Sequence, residues 1–451
     1  ACIPAGMKKI IALCALALLT ACANSEQRDL AVVELDCRTG LYLNAEGEAL
    51  ALTPAGTSGY RWRMLDGRSG ALDAAGGASR LGVTEEPDGF EAELGACGDD
   101  RISFGPSGAL QSYSRAPVQI TDVTYTHDGL TFGGRLIWPA GAEHAPLVVH
   151  VHGSGRASQV RSGSMQWLLA AQGIASFAYD KRGTGLSEGQ YTQDFEILSA
   201  DARAALAQAR SMVGERITRA GYVGASQGGW VAPLAASESN VDFVVALYGL
   251  AVSPLEEDRS EVVQNLALAG WGPDEQAKGA ALSDAAGVIM ASNFREGFEE
   301  FDRLRREYRE EAWYQDIDGE FTSEMLPHPA LALRLIGPTR SVGTTWRYDP
   351  MPVLRRLDTP QFWMIAGDDT EAPPQETVTR IRALQAEGRQ IDLAIYPGAD
   401  HGMWLTERTP AGVRQTAQVR DYYRAIGEWI LSRDLSVARA AGAEVELARA
   451  P

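Results

Sequence analysis

The chain has no basic surplus. Its 451 residues carry 41 lysines and arginines against 59 aspartates and glutamates, a net charge of −18. Nucleic acid is thereby excluded as a partner, because binding phosphates requires a cationic face. Histidine and cysteine are scarce, at six and five residues. No further His or Cys cluster supports the close pair His150 and His152, so no metal centre and no cofactor are expected. The apolar run between Ile10 and Leu19 falls well short of the roughly 20 residues that span a bilayer. Internal repeats and long low-complexity tracts are absent. What remains, 45% hydrophobic and 22% charged residues, is the composition of a folded globular protein. The length is too great for one ordinary core and fits two or three domains.

The N-terminus reads as a targeting segment. Two lysines after Met7 precede the apolar run, and Thr20, Ala21 and Cys22 follow it. This is the order of charged, apolar and small residues in an export signal. The ending Leu19-Thr-Ala-Cys22 resembles the lipobox of bacterial lipoproteins, which implies lipidation of Cys22 and a periplasmic or cell-envelope location; an ordinary cleaved signal is the alternative. The only membrane contact expected is that anchor. With Cys2 and Cys14 removed and Cys22 lipidated, Cys37 and Cys97 remain. In an oxidising compartment they pair as a disulfide or stay as two separate thiols.

Beyond the segment 1–22, residues 23–115 form a turn-rich region without helical period, read as a small β-rich domain. Its expected strands are 31–35, 41–44, 60–64, 80–84, 89–93 and 101–104. From about residue 120 the pattern becomes an alternation. Strands are expected at 130–137, 147–151, 175–179, 222–223, 241–247, 361–366 and 391–396. Helices are expected at 165–172, 198–213, 377–387 and 416–432. Such alternation gives a mostly parallel sheet covered by helices. Residues 253–347 interrupt it with a polar helical stretch bearing Trp271, Phe294, Phe298, Phe301, Tyr308, Trp313 and Tyr314. An insertion of this size reads as a helical cap over the carboxyl edge of the sheet, with most of these aromatics in its core. The sheet domain is therefore 120–252 and 348–433, and 434–451 is a C-terminal tail.

In an open α/β sheet the site lies at the carboxyl ends of the strands. Ser226 lies there, in GYVGASQGGW, with Gly224 and Gly228 two residues either side. A strand that turns sharply into a helix holds its corner residue in a strained conformation and needs such small neighbours. Gly153 follows strand 147–151, Asp368 and Asp369 follow 361–366, and His401 follows 391–396. Serine is a poor nucleophile without an imidazole to take its proton and a carboxylate to fix the imidazole tautomer. Backbone N–H groups of Gln227 and of the loop containing Gly153 and Ser154 are the candidate donors to an oxyanion.

HGSG (152–155), YDKRGTGLSEG (179–189), GASQGGW (224–230), AGDDTEAPP (366–374) and GADHG (398–402) together resemble the ordered signature of the α/β-hydrolase superfamily. The likeness is greatest to bacterial esterase-like and dipeptidyl-peptidase-like serine hydrolases, and it covers residues 120–433. It implies an α/β-hydrolase fold with a cap and a Ser226–His401–Asp369 triad acting on a small-molecule ester or a short peptide. Asp369 is preferred because family loops place the acid four residues before a proline, here Pro373. Gly367 is one residue nearer the acid than usual, which keeps Asp368 and Glu371 as alternatives. Asp180 and Arg182 are read as a structural turn, and His127, His144 and His328 as isolated. A surface binding lipoprotein on the same scaffold is the non-enzymatic alternative. Natural substrate and oligomeric state are not encoded in these patterns.

Overall fold

The computed structural model describes residues 37–56, 59–80, 87–409 and 412–448. The targeting segment, Cys22 and the expected strand 31–35 lie outside them, as do residues 81–84 of the strand expected at 80–84. The chain divides into two compact units, the first running to Ala116 without Leu65–Arg68, and the second comprising Leu65–Arg68 and the chain from Pro117 onward.

The first unit is a closed antiparallel barrel of eight strands: β1 (Gly40–Leu43), β2 (Ala49–Pro54), β3 (Gly59–Met64), β4 (Ser69–Asp73), β5 (Gly76–Arg80), β6 (Pro87–Leu94), β7 (Arg101–Pro106) and β8 (Gln111–Arg115), with β1 closing on β8. Closure removes the sheet edges that would otherwise invite pairing with another chain. Alternate residues point inward: Leu50 and Leu52, Tyr60, Trp62 and Met64, Ile102 and Phe104 are all buried in one cluster. Trp62 donates its indole N–H to Ser79 Oγ at 2.7 Å, and Ser79 donates to Asp88 at 2.7 Å, so the indole N–H and the Ser79 hydroxyl are satisfied. A disulfide joins Cys37 to Cys97, with Cα atoms 5.6 Å apart. Strands β2, β4 and β8 were not expected from sequence, and β5 meets the expected strand 80–84 only at Arg80. The Gly, Ser and Gln content of β4, β5 and β8 reads as turn, and cross-strand pairing in the barrel makes them strands; β2, Ala-Leu-Ala-Leu-Thr-Pro, carries a short apolar alternation instead.

The second unit is built on a nine-stranded sheet. Its strands are β9 (Gln119–His127), β10 (Leu130–Trp138), β11 (Ala145–Val151), β12 (Ala175–Tyr179), β13 (Ile217–Ala225), β14 (Phe243–Leu247), β15 (Gln361–Ala366), β16 (Ile391–Tyr396) and, after a hairpin, β20 (Glu444–Glu446). The order is β20-β16-β15-β14-β13-β11-β12-β10-β9. The run from β16 through β12 is parallel, and β9, β10 and β20 pair antiparallel at the edges. Every residue of β11, β12, β14 and β15 is buried. Continuous apolar strands of this kind are covered by helices on both faces.

One such helix, Phe195–Val213, starts where Asp194 accepts the N–H groups of Glu196 and Ile197. It stops at Gly214, whose φ of +57° a side chain would disfavour. Its buried Phe195 stacks on Trp230 with centroids 5.2 Å apart, fixing the helix that follows Ser226.

The expected helix 416–432 is corrected. Residues up to Gln418 belong to the hairpin β18 (Trp404–Thr409) and β19 (Gly412–Gln418), which follows the short β17 (Ala399–Asp400), and the helix is Tyr422–Ser432. Asp421, at φ +58°, separates the two; the hairpin pairing overrides the helical period of the sequence. The stretch 434–451, read as a tail, supplies the helix Ser436–Ala440 and the edge strand β20.

Residues 253–347 carry the helices Pro254–Leu268, Pro273–Ala291, Phe298–Tyr308 and Ala330–Arg340 and no strand. The first is opened by a capping box, Ser253 accepting from Glu256 N–H while Glu256 accepts from Ser253 N–H. Phe298, Phe301 and Trp313 lie in their own apolar core, with Trp271, Phe294, Tyr308 and Tyr314 packed against it. The aromatics of this stretch are thus mainly structural.

Candidate active site

The parallel register of β11, β13, β14, β15 and β16 brings His152, Ser226, Tyr248, Asp369 and His401 to one edge of the sheet, since each follows the carboxyl end of its strand. Ser226 occupies the corner between β13 and the helix Gly228–Ser237 with φ +53°. A non-glycine residue there carries about 1–3 kcal/mol of strain and persists only where its surroundings hold it. Ser226 N–H donates to Leu247 O at 3.0 Å, and Gly229 N–H donates to Ser226 O at 2.6 Å. The flanking glycines are required by space. A Cβ on Gly224 would stand 2.1 Å from Gly228 O, and one on Gly228 would stand 2.7 Å from Val151 O.

His401 Nδ1 lies 2.9 Å from Asp369 Oδ2 and 3.2 Å from Oδ1. An ionised carboxylate only accepts, so this contact fixes the proton on Nδ1 and leaves Nε2 able to accept one. Asp369 is itself held by the N–H groups of Glu371 and Ala372. Asp400 Oδ1 ties the two loops together, accepting from Thr370 N–H, Thr370 Oγ1 and His401 N–H at 2.8–2.9 Å. Asp368 instead accepts Gly398 N–H. Burial pulls the His401 pKa down, but the bond and charge of Asp369, with Glu371 and Asp400 beyond, outweigh it and raise the pKa above the ordinary imidazole value. Among the described residues no hydrogen bond joins Ser226 Oγ to His401. Nε2 faces Glu371 Oε1 at 3.5 Å, and the ring packs edge-on against Tyr248, the neighbour of the carbonyl that holds Ser226. Catalytic hydrogen bonds are often long without substrate.

Residues 148–416, more than half of the chain, match the profile of the Alpha/beta hydrolase family. The chain belongs to the alpha/beta hydrolase family. No curated protein matches it. Solved structures similar to this alpha/beta hydrolase include an esterase of Pyrococcus furiosus, at 16% identity over 63% of this chain and 82% of that one with a TM-score of 0.39. An acylaminoacyl peptidase of Pyrococcus horikoshii is similar at 14% identity over 78% and 52%, TM-score 0.41. A proline iminopeptidase of Mycobacterium smegmatis is similar at 17% identity over 70% and 99%, TM-score 0.42.

The loop carrying Gly153 and Ser154 abuts the serine corner: a Cβ on Gly153 would lie 3.3 Å from Ala225 O and 3.7 Å from Ser226 Cβ. Two side chains of this hydrolase hold the loop from behind. Lys181 Nζ donates to Gly153 O at 2.6 Å and to Gln227 Oε1 at 3.1 Å, and Tyr191 OH donates to Ser154 O. In a trans peptide the N–H points opposite the C=O, so a lysine on Gly153 O turns the N–H of Ser154 away from itself. Burial, aided by Arg156, lowers the Lys181 pKa to about 7.

Neither residue was singled out from sequence. Lys181 was passed over between Asp180 and Arg182, both of which are structural. Asp180 accepts from Ser158, Val160 and Leu186, and Arg182 forms a buried bidentate pair with Asp201 at 2.6–2.7 Å. The signal available was a cation placed directly after the buried strand β12.

His152 is buried against Tyr179 O, and His150 is buried with Nε2 unpartnered. Burial lowers their pKa values to about 3 and about 4, so both are neutral. No three His, Cys, Asp or Glu side chains converge as a metal site among the described residues. His127 faces Asp201 and His144 is exposed, while His328 lines a cavity of about 610 Å³ in the 253–347 region together with Glu320, Phe321, Glu324 and Trp346.

Proposed function

We propose that the chain is a serine hydrolase that cleaves ester bonds of small molecules through an acyl-enzyme on Ser226. The observation that carries the reading is the strained Ser226 corner at the same sheet edge as the His401–Asp369 pair. In this mechanism Nε2 of His401 leaves Glu371 for Ser226 and takes the Oγ proton as the oxygen attacks the substrate carbonyl. Asp369 stays ionised and stabilises the imidazolium through Nδ1–H. The tetrahedral oxyanion accepts from the backbone N–H of Gln227 and from the loop N–H of Gly153 or Ser154; one such donor is worth about 3–4 kcal/mol. Collapse breaks the ester bond, and His401 returns the proton to the departing alcohol. Water then repeats the sequence, with His401 as base, and releases the acid.

The proposal extends to location: an exported protein lipidated at Cys22, as the Leu-Thr-Ala-Cys ending suggests. Labelling with a fluorophosphonate probe tests the chemistry. The wild type is expected to label and hydrolyse short p-nitrophenyl esters, and Ser226→Ala to do neither. A folded wild type that neither labels nor turns over any ester sinks the reading. Release of Cys22→Ala from the membrane fraction tests the anchor.

A further inference from the structure

The loop beside Ser226 has little stiffness of its own. Among the described residues, Gly153 to Ala157 make no backbone–backbone hydrogen bond, and Ser154 and Gly155 are exposed. A Cβ on Gly155 would meet nothing within 4 Å. A stretch that alternates glycine with serine is free to take many conformations, yet an oxyanion donor must stand in one. What holds this loop comes from outside it.

Each backbone dihedral of Ser154 relates its Cα to the peptide plane on one side. Lys181 Nζ pins the plane before it through Gly153 O at 2.6 Å. Tyr191 OH pins the plane after it by donating to Ser154 O. With both carbonyls held, both dihedrals of Ser154 are fixed, and the N–H groups of Ser154 and Gly155 point away from their pins. Tyr191 also meets the loop through its ring, whose centroid lies 3.7 Å from the Arg156 guanidinium.

The direction of the Tyr191 proton is set at Gln193. A carbonyl only accepts, so the contact with Ser154 O uses the one proton of the phenol. The phenol oxygen is then left to accept, and Gln193 meets it with Nε2 at 2.8 Å. That leaves Gln193 Oε1 for Thr344 Oγ1, which donates at 2.8 Å. Donation runs from Thr344 to Gln193 to Tyr191 to Ser154 without a break, and bonds aligned in this way polarise one another. The origin of the chain is anchored in the 253–347 region. Val342 O accepts Gln193 N–H at 2.8 Å and Thr192 Oγ1 at 3.0 Å, and Thr345 Oγ1 accepts Phe195 N–H at 3.0 Å.

We infer that Tyr191 is a positioning residue for the oxyanion-binding loop, and that Gln193 acts through it by directing the phenol proton onto Ser154 O. The inference rests on the serine-hydrolase reading of Ser226 and adds two residues to it, both of which act through the loop and not on the reacting atoms.

Two substitutions that hardly change shape test the relay. Tyr191→Phe keeps the ring beside Arg156 and removes the hydroxyl. With p-nitrophenyl butyrate kcat should fall about fivefold to fiftyfold while KM stays within about twofold, the split expected of an interaction that acts mainly in the transition state. Gln193→Glu reverses the relay, because a carboxylate only accepts and draws the Tyr191 proton away from Ser154 O. Its loss in kcat should match that of Tyr191→Phe. The double variant should fall no more than about twofold below either, since both break the same bond. Rates are taken per site labelled at completion by the fluorophosphonate probe, so that misfolded protein is not counted. An unchanged kcat in Tyr191→Phe, or a loss confined to KM, overturns the positioning role and leaves the Ser226 chemistry standing. Losses that multiply in the double variant overturn the action of Gln193 through Tyr191. A wild type that neither labels nor turns over removes the hydrolase reading itself, and these roles with it.

Discussion

His401 is bonded to Asp369 and not to the adjoining Asp368. Nδ1 stands 2.9 Å from Asp369 Oδ2, while Asp368 Oδ2 accepts Gly398 N–H at 3.1 Å. Neighbouring side chains on a turn diverge, and this turn aims the second aspartate inward, where it is 2% exposed. Asp369→Asn keeps the shape but puts a donor against Nδ1, favouring the tautomer that cannot take the serine proton. The expected loss in kcat is about 10⁴. Asp368→Asn should cost less than about tenfold. Steady-state kinetics of the two variants decides the assignment, and a reversed order would move the acid to Asp368.

The pH profile follows from the electrostatics of His401. Its pKa is raised above 6.5, and the base must be unprotonated to act, so kcat/KM should rise with pH through a midpoint above 6.5. Glu371 contributes to the raising. Glu371→Gln should therefore move the acid limb to lower pH. The sign for stability is opposite: the interactions of His401 with these carboxylates stabilise the fold fully below pH 6.5 and fade as pH rises through the raised pKa. A pH-rate series on both proteins checks the shift.

The disulfide predicts a loss confined to stability. It closes a loop with a sequence separation of 60, for which the chain-entropy argument gives about 4 kcal/mol. Cys37→Ser with Cys97→Ser should lower the unfolding free energy of the barrel, obtained from chemical denaturation, by up to that figure. Esterase kinetics in the absence of denaturant should not follow it.

The elements that sequence revealed are those whose local signal and tertiary environment agree. β11 and β15 are apolar throughout because both faces are covered, and Gly224 and Gly228 announce the corner because no side chain fits there. Ser226, Asp369 and His401 could be named because each follows such a strand. The barrel strands β4 and β8 were hidden because their Gly, Ser and Gln residues carry a turn signal, which pairing with the neighbouring strands and, for β8, closure onto β1 overrides.

Lys181 carries the last prediction. It contributes no atom to the reacting groups, yet its ammonium joins the two segments that flank Ser226, binding Gly153 O at 2.6 Å and Gln227 Oε1 at 3.1 Å. Lys181→Met removes the donor and leaves both acceptors in an apolar surround, so the loop is free to rotate its peptide out of line. An interaction lost mainly in the transition state lowers kcat with little change in KM, and the expected fall is about tenfold to a hundredfold. Lys181→Arg should not restore the rate, because a planar guanidinium does not fit a site shaped for a compact ammonium. Stability should move the other way. The folded pKa of about 7 lies below the ordinary lysine value, so the unfolded chain holds the extra proton between pH 7 and about 10 and the wild type gains stability with rising pH in that window. Lys181→Met should lose that gain. A methionine variant with an unchanged kcat would show that the Gly153 peptide keeps its orientation without the lysine.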